Sequence, residues 1–201
     1  IFILNTKYLR LINFSFLENL TFNIIIQINF ILILSLFDLR HEFIIKIYLY
    51  SYLIIFILYL FKWKYFLETI KKININIMML VLISTIISLD IAHNLTLSWD
   101  AEKFWFYKVL NFFNNNSISN LVNLPNNFYP HLGTLLWATY WKISLIPNEY
   151  SGRIFFCFIY LLSIFLLVEN LKLNAVLKLI FSLLFILLTY DYYLLFSGGQ
   201  D

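Results

Sequence analysis

Long apolar runs, separated by short polar turns, are the feature that most restricts how this chain can fold. They cover residues 22–37, 43–61, 73–91, 131–146, 153–168 and 175–196. A helix that crosses a bilayer needs about 20 predominantly apolar residues. Only 12% of the residues are charged, about half the share found in soluble domains, which is too little to cover a water-facing surface. The sequence therefore predicts an all-α fold, a polytopic transmembrane helical bundle.

One integral membrane domain is expected over residues 1–201, because the sequence contains no internal repeat, no heptad pattern and no Gly/Ser-rich linker. The sequence begins at Ile1 rather than at a methionine and stops soon after Gly199, which predicts a fragment of a longer protein. Cys157 lies alone inside an apolar run and is expected to be a small buried hydrophobe.

A basic cluster between the second and third runs predicts the orientation in the membrane. It sets four lysines against one acid, Glu68; the lysines are Lys62, Lys64, Lys71 and Lys72. Loops rich in lysine tend to stay cytoplasmic, so the third run leads outward and places a loop at residues 92–130 on the extracytoplasmic side. We therefore expect a multi-pass protein of the bacterial inner (plasma) membrane whose external loop carries amphipathic juxtamembrane helices.

The number of later crossings decides the side of Asp201. If all three apolar runs after the loop cross the membrane, Asp201 lies in the cytoplasm. If one of them is re-entrant or interfacial, Asp201 shares a side with Asp100. The run at residues 131–146 is short for a bilayer, and the sequence leaves both alternatives open.

The external loop contains a closely spaced acid pair, Asp100 and Glu102, directly after Trp99. In an extended segment both carboxylates would face one side and could hold a divalent cation, Mg²⁺ or Mn²⁺, beside phosphate oxygens. In a helix they diverge, and one alone would serve as a base. Such pairs are frequent on solvated surfaces, but Trp99 favours a position at the membrane–water boundary.

An aromatic-rich pattern at residues 101–113 is typical of a helix that lies flat on the membrane. Its Lys103 and Lys108 either meet the phosphate of a lipid substrate or extend to ordinary phospholipid headgroups. Pro130 suits the first turn of the returning helix, which leaves Tyr129 and His131 at the membrane surface facing the loop. A histidine in that position is more often a headgroup contact than a catalyst.

This order of features resembles the GT-C glycosyltransferases, multi-span enzymes that use lipid-linked sugars and include protein O-mannosyltransferases and lipid A aminoarabinose transferases. The resemblance covers residues 73–201, and four features carry it: Trp99-Asp100 after an outward run, a helix with Trp105 and Lys108, an entry at Tyr129-Pro130-His131-Leu132, and a later run that opens with Arg153. His131 replaces the second proline of the commonest entry motif, and two apolar runs precede the third where many members have one.

The resemblance implies roles for the loop residues. Asp100 would be the general base that deprotonates an acceptor hydroxyl or amine, which attacks the anomeric carbon as polyprenyl phosphate leaves. Asp201 resembles a second acidic position. The remaining residues that would contact substrate, several of them as positive charge near the leaving phosphate, are Glu102, Lys103, Lys108, Tyr129, His131 and Arg153.

The implied partners are a polyprenyl-phosphate sugar donor, membrane lipids, and an acceptor lipid, glycan or protein, with no nucleic acid. A different class remains open: a transporter, or a flippase- or polymerase-like component of polysaccharide assembly. Transporters place ionisable residues near the midplane of their spans. Here the charges within the runs are few, chiefly Lys46, and the acids lie at the interface, which favours interfacial chemistry.

Overall fold

The computed structural model describes residues 15–61 and 75–190, and these residues form helices without a strand. The α-helices in chain order are α1 Phe16–Leu36, α2 His41–Leu60, α3 Ile75–His93, α4 Phe106–Phe113, α5 Leu132–Ser144, α6 Tyr150–Glu169 and α7 Ala175–Thr189. A π-helical turn at Ala101–Trp105 precedes α4, and a 3₁₀ turn at Ile118–Asn123 follows it. The predicted all-α helical bundle is confirmed.

Four of these helices, α1, α2, α3 and α6, are long and apolar enough to cross a membrane, which identifies a membrane protein. α1 begins six residues before the predicted run because Ser15 and Glu18 form a capping box. The Ser15 hydroxyl accepts a hydrogen bond from the Glu18 N–H at 3.2 Å, and the Glu18 carboxylate accepts one from the Ser15 N–H at 2.7 Å. These bonds satisfy two N–H groups that a helix start otherwise leaves unpaired.

Three contacts establish how the spans run relative to one another. The Ser15 hydroxyl donates to Glu169 at 2.8 Å, so α1 begins where α6 ends. At the other end, Asp38 accepts a hydrogen bond from the Ser119 N–H at 2.9 Å. Arg153 donates to the Thr96 carbonyl at 3.1 Å, which places the start of α6 beside the segment that follows α3. We call this end of the bundle the capped end, and residues 94–149, which cover it, the cap.

α5 belongs to the cap and does not cross the bundle. With 13 residues it is about 20 Å long, short of the roughly 30 Å of a bilayer core. α3 ends and α6 begins at the capped end, so the chain between them stays on one side. Of the two alternatives for the later crossings, the structure supports the one in which a short apolar stretch does not cross. Asp201 and the basic cluster at residues 62–72 lie outside the described residues.

The cap is joined to the bundle where α5 passes over α6. Gly152 lies against the backbone of Trp137, because a Cβ at this position would overlap the Trp137 carbonyl oxygen. The Trp137 indole donates to the Glu149 carbonyl at 3.1 Å, and the rings of Tyr140 and Phe155 stack with centroids 3.7 Å apart. Gly152 is therefore a packing residue in the first turn of α6.

Candidate functional site

A continuous helical segment from Trp99 to Phe113 forms the outer part of the cap. It begins at Ser98, whose hydroxyl accepts a hydrogen bond from the Ala101 N–H at 3.2 Å. Ala101, Trp105, Val109 and Phe112 are buried, and their helical spacing turns one apolar face toward α5. The amphipathic helix is thus present, but it packs on protein through this face.

The backbone at Asp100 and Glu102 is helical and not extended. Asp100 has φ −63° and ψ −42°, so its carboxylate and that of Glu102 point to different sides, and the extended arrangement that would hold one cation between them is not adopted. Within the described residues, no three His, Cys, Asp or Glu side chains group as metal ligands. Asp100 is half-buried, whereas Glu102 and Lys103 are exposed.

Lys108 lies inside the cap and not at the membrane surface. Its side chain is fully buried, and Nζ donates to the Tyr129 carbonyl at 3.1 Å. The same atom lies 5.4 Å from the Trp105 ring centroid and 5.8 Å from that of Tyr129. No acidic side chain in the described part of the chain pairs with Lys108, and burial lowers its pKa. The alternative in which Lys108 extends to ordinary phospholipid headgroups is therefore wrong.

Tyr129 contacts Lys108 through its carbonyl and its ring, and His131 follows it by two residues. The charge of Lys108 reaches His131 and, after burial, is the second cause that lowers the pKa of this imidazole. His131 Nε2 and Trp105 Nε1 are both buried without a hydrogen-bond partner among the described residues. We call Trp105, Lys108, Tyr129 and His131 the lysine cluster.

The lysine cluster has the chemistry of an anion site. Buried polar groups in proteins normally have partners, and a buried charge is costly unless it is paired. Here the Lys108 ammonium has no carboxylate partner among the described residues. The Trp105 indole and, in the tautomer protonated at Nε2, the His131 imidazole each keep a buried N–H without an acceptor. Donors of this kind suit an anion that enters the cluster. The sequence did not lead us to include Trp105 among the site residues. Its position one helical turn before Lys108 would have indicated that the two side chains lie side by side.

Arg153 occupies a different place. Its side chain is 1% exposed, and it forms an ion pair with Glu149 at 2.7 Å besides its bond to the Thr96 carbonyl. Burial raises the pKa of Glu149 although Arg153 opposes the shift. These contacts tie α6 to the cap, so a role for Arg153 in substrate binding requires the ion pair to open and stays a prediction.

An open groove runs along the outer side of the same helical segment. It has a volume of about 560 Å³, and its lining is mostly apolar, with one acid: Leu95, Leu97, Glu102, Phe106, Tyr107 and Leu110. Glu102 is the sole charged residue of this lining. The groove has the shape and lining to receive an apolar chain whose polar end lies beside Glu102.

A second polar feature lies between α1, α2 and α5. The Gln27 amide oxygen accepts hydrogen bonds from the Tyr48 hydroxyl at 3.0 Å and from the Tyr140 hydroxyl at 3.3 Å. Beside them is a cavity of about 180 Å³ that Asn23, Ser51 and Tyr52 also line. The sequence marks Gln27 as a polar interruption of the first span, but only the fold shows what it contacts.

Comparison with known proteins gives no guide to this site: no protein-family model, no curated protein and no solved structure matches the chain.

Proposed function

We propose that the chain is the membrane part of a glycosyltransferase that moves a sugar from a polyprenyl-phosphate donor to an acceptor on the extracytoplasmic side of the bacterial inner membrane. Asp100 acts as the general base, and the lysine cluster binds the phosphate of the donor. One observation carries the proposal: a fully buried lysine without an acidic partner and a half-buried carboxylate without a hydrogen bond in the described residues share one helical segment of the cap.

The spacing of the two groups supports this reaction. Eight residues separate Asp100 from Lys108, about 12 Å along a helix. In the attack geometry the base lies about 3 Å from the acceptor oxygen, and that oxygen lies about 3 Å from the anomeric carbon. The phosphate oxygens lie at a similar distance beyond the anomeric carbon, and an ammonium that binds them lies about 3 Å further on. A sugar phosphate and its acceptor have a comparable length, which supports the proposal.

Each group has a definite task in the transfer. Asp100 accepts the proton of the acceptor hydroxyl or amine as the new bond to the anomeric carbon forms. The bond from that carbon to the phosphate oxygen breaks, and the negative charge that develops on the phosphate is stabilised by Lys108 with the indole of Trp105. The Tyr129 ring lies beside Lys108 and must move aside before a phosphate can enter.

A transporter, or a flippase- or polymerase-like component of polysaccharide assembly, is the second candidate. The cavity beside Gln27 and Tyr48 favours it, because amide and hydroxyl groups contribute to its mostly apolar lining and polar groups inside spans often mark a substrate path. Its lining holds amide and hydroxyl groups and no charged side chain. Lys46, the main charge within the runs, pairs with Glu42 at 2.5 Å on the surface of α2. The cap has the more specific chemistry.

Transfer by the Asp100→Asn variant tests the proposal. Membranes that contain the protein are incubated with radiolabelled polyprenyl-phosphate sugars, and labelled product is counted. Loss of a general base lowers the rate by about 10²–10⁴-fold, with expression and insertion unchanged. Glu42→Gln is the matched control, since it exchanges a carboxylate for an amide at the same end of the bundle. Near-normal transfer by Asp100→Asn removes the catalytic role of Asp100, whereas sugar movement across vesicles without transfer supports the second candidate.

A further inference from the structure

α1 has an outward face that no other described element covers. Its residues alternate in spacings of four and three: Phe22, Ile26, Asn29, Ile33 and Leu36. The four apolar members are between 39% and 64% exposed, and Asn29 is exposed as well. No heptad is visible in the sequence, because apolar residues fill most positions of α1. Packing in the bundle buries much of the rest of α1 and leaves this seam open, with the exposed Ile25 beside it.

Asn29 is poorly matched to a lipid environment. Its Nδ2 donates to the Ile25 carbonyl at 2.8 Å, and its Oδ1 makes no hydrogen bond with any described residue. It lies seven residues before the end of α1, about 10 Å along the axis, which is too far for this short side chain to reach headgroups. The other amide side chains of the four candidate spans, as far as they are described, are buried: Asn19, Asn23, Gln27 and Asn76.

We propose that α1 pairs with α1 of a second copy of this chain, with the two Asn29 side chains hydrogen-bonded to each other across a two-fold axis. An amide has both donors and an acceptor, so two identical side chains are complementary. Copies that insert with the same orientation can align α1 only in parallel, and in that register Asn29 meets Asn29 at the same depth. Interhelical hydrogen bonds of this kind contribute to helix association in membranes.

The apolar members of the seam fit the same arrangement. Ile26 and Ile33 occupy one set of positions, and Phe22 and Leu36 occupy the other together with Asn29. β-branched residues at the first set favour two-stranded pairing in parallel coiled coils, where a single polar residue in the seam can also select the register. The seam contains no residue of the cap and shares only Ile26 with the lining of the cavity beside Gln27, so the pairing does not depend on the function proposed for the cap.

Cysteine cross-linking in membranes tests the pairing. The chain has one cysteine, and Cys157 is buried, so Cys157→Ser gives a background without thiols. Ile26→Cys and Ile33→Cys, each placed in the full chain, are expected to form a disulfide-linked dimer under mild oxidation. Leu49→Cys and Leu53→Cys, on the exposed face of α2, are the controls and are expected to remain monomeric. Equal cross-linking at seam and control positions overturns the proposal, as does cross-linking of the seam to a different protein only.

Energy transfer between labelled copies in vesicles tests the role of the amide. Asn29→Leu keeps the side-chain volume and removes the hydrogen bond, so the dimer dissociation constant is expected to rise about three- to thirty-fold. Asn29→Gln keeps the amide and should retain most of the affinity. A dimer that is equally strong with leucine at this position overturns the hydrogen-bonded pair, and an absence of energy transfer in the wild-type chain overturns the dimer itself.

Discussion

Gly152 is where α6 passes against α5, and its replacement by alanine tests the attachment of the cap to the bundle. A Cβ on Gly152 would overlap the carbonyl oxygen and Cδ1 of Trp137 and lie 3.1 Å from the Trp137 carbonyl carbon. Part of the overlap is with backbone, so rotation of one side chain cannot relieve it. The two helices must move apart.

The cost follows from the contacts that the movement disturbs. The bond from the Trp137 indole to the Glu149 carbonyl is worth about 1 kcal/mol, and the stacking of Tyr140 on Phe155 contributes about as much. Overpacking adds about 1–3 kcal/mol, while the exchange of glycine for alanine in a helix returns about 1 kcal/mol. The net loss is about 2–4 kcal/mol, or a decrease in Tm of about 4–16 °C for a chain of this size.

Thermal unfolding in detergent, followed by tryptophan fluorescence, measures this loss. Gly133→Ala, in the first turn of α5, is the matched control, and its Tm should stay within a few degrees of the wild type because helix propensity is then the main change. A Tm of Gly152→Ala that equals or exceeds that of the wild type would refute the close crossing of α5 and α6.

Two further predictions concern the lysine cluster. Lys108→Met removes a buried charge that has no acidic partner, so Tm should stay equal or increase, while sugar transfer falls by about two orders of magnitude; unchanged transfer contradicts a role in phosphate binding. Burial and Lys108 hold the pKa of His131 below its usual 6.5, so the contribution of this imidazole to stability is complete above pH 6.5 and is lost as pH falls through the lowered pKa. His131→Gln should flatten that part of a profile of Tm against pH, and an identical slope in both proteins would argue against the buried imidazole.

Part of the candidate site could be predicted from the sequence. The sequence singled out Lys108, Tyr129 and His131 one by one, and the structure shows that Lys108 contacts Tyr129. Trp99 and Asp100 were expected at the start of the loop, and they begin the helical segment of the cap. Neither the burial of Lys108 nor the ion pair of Arg153 with Glu149 could be predicted, because each depends on which distant segment packs against the side chain.

The sequence by itself determined that this is a helical membrane protein. The preference of a long apolar segment for lipid is a property of its own residues, and the capping box of Ser15 and Glu18 depends on neighbours three positions apart. The tertiary structure alone decided that α5 stays in the cap, since a short apolar helix can cross, enter partly or lie on protein according to its contacts. It also decided which face of α1 remains open, because burial depends on the packing of every helix around it.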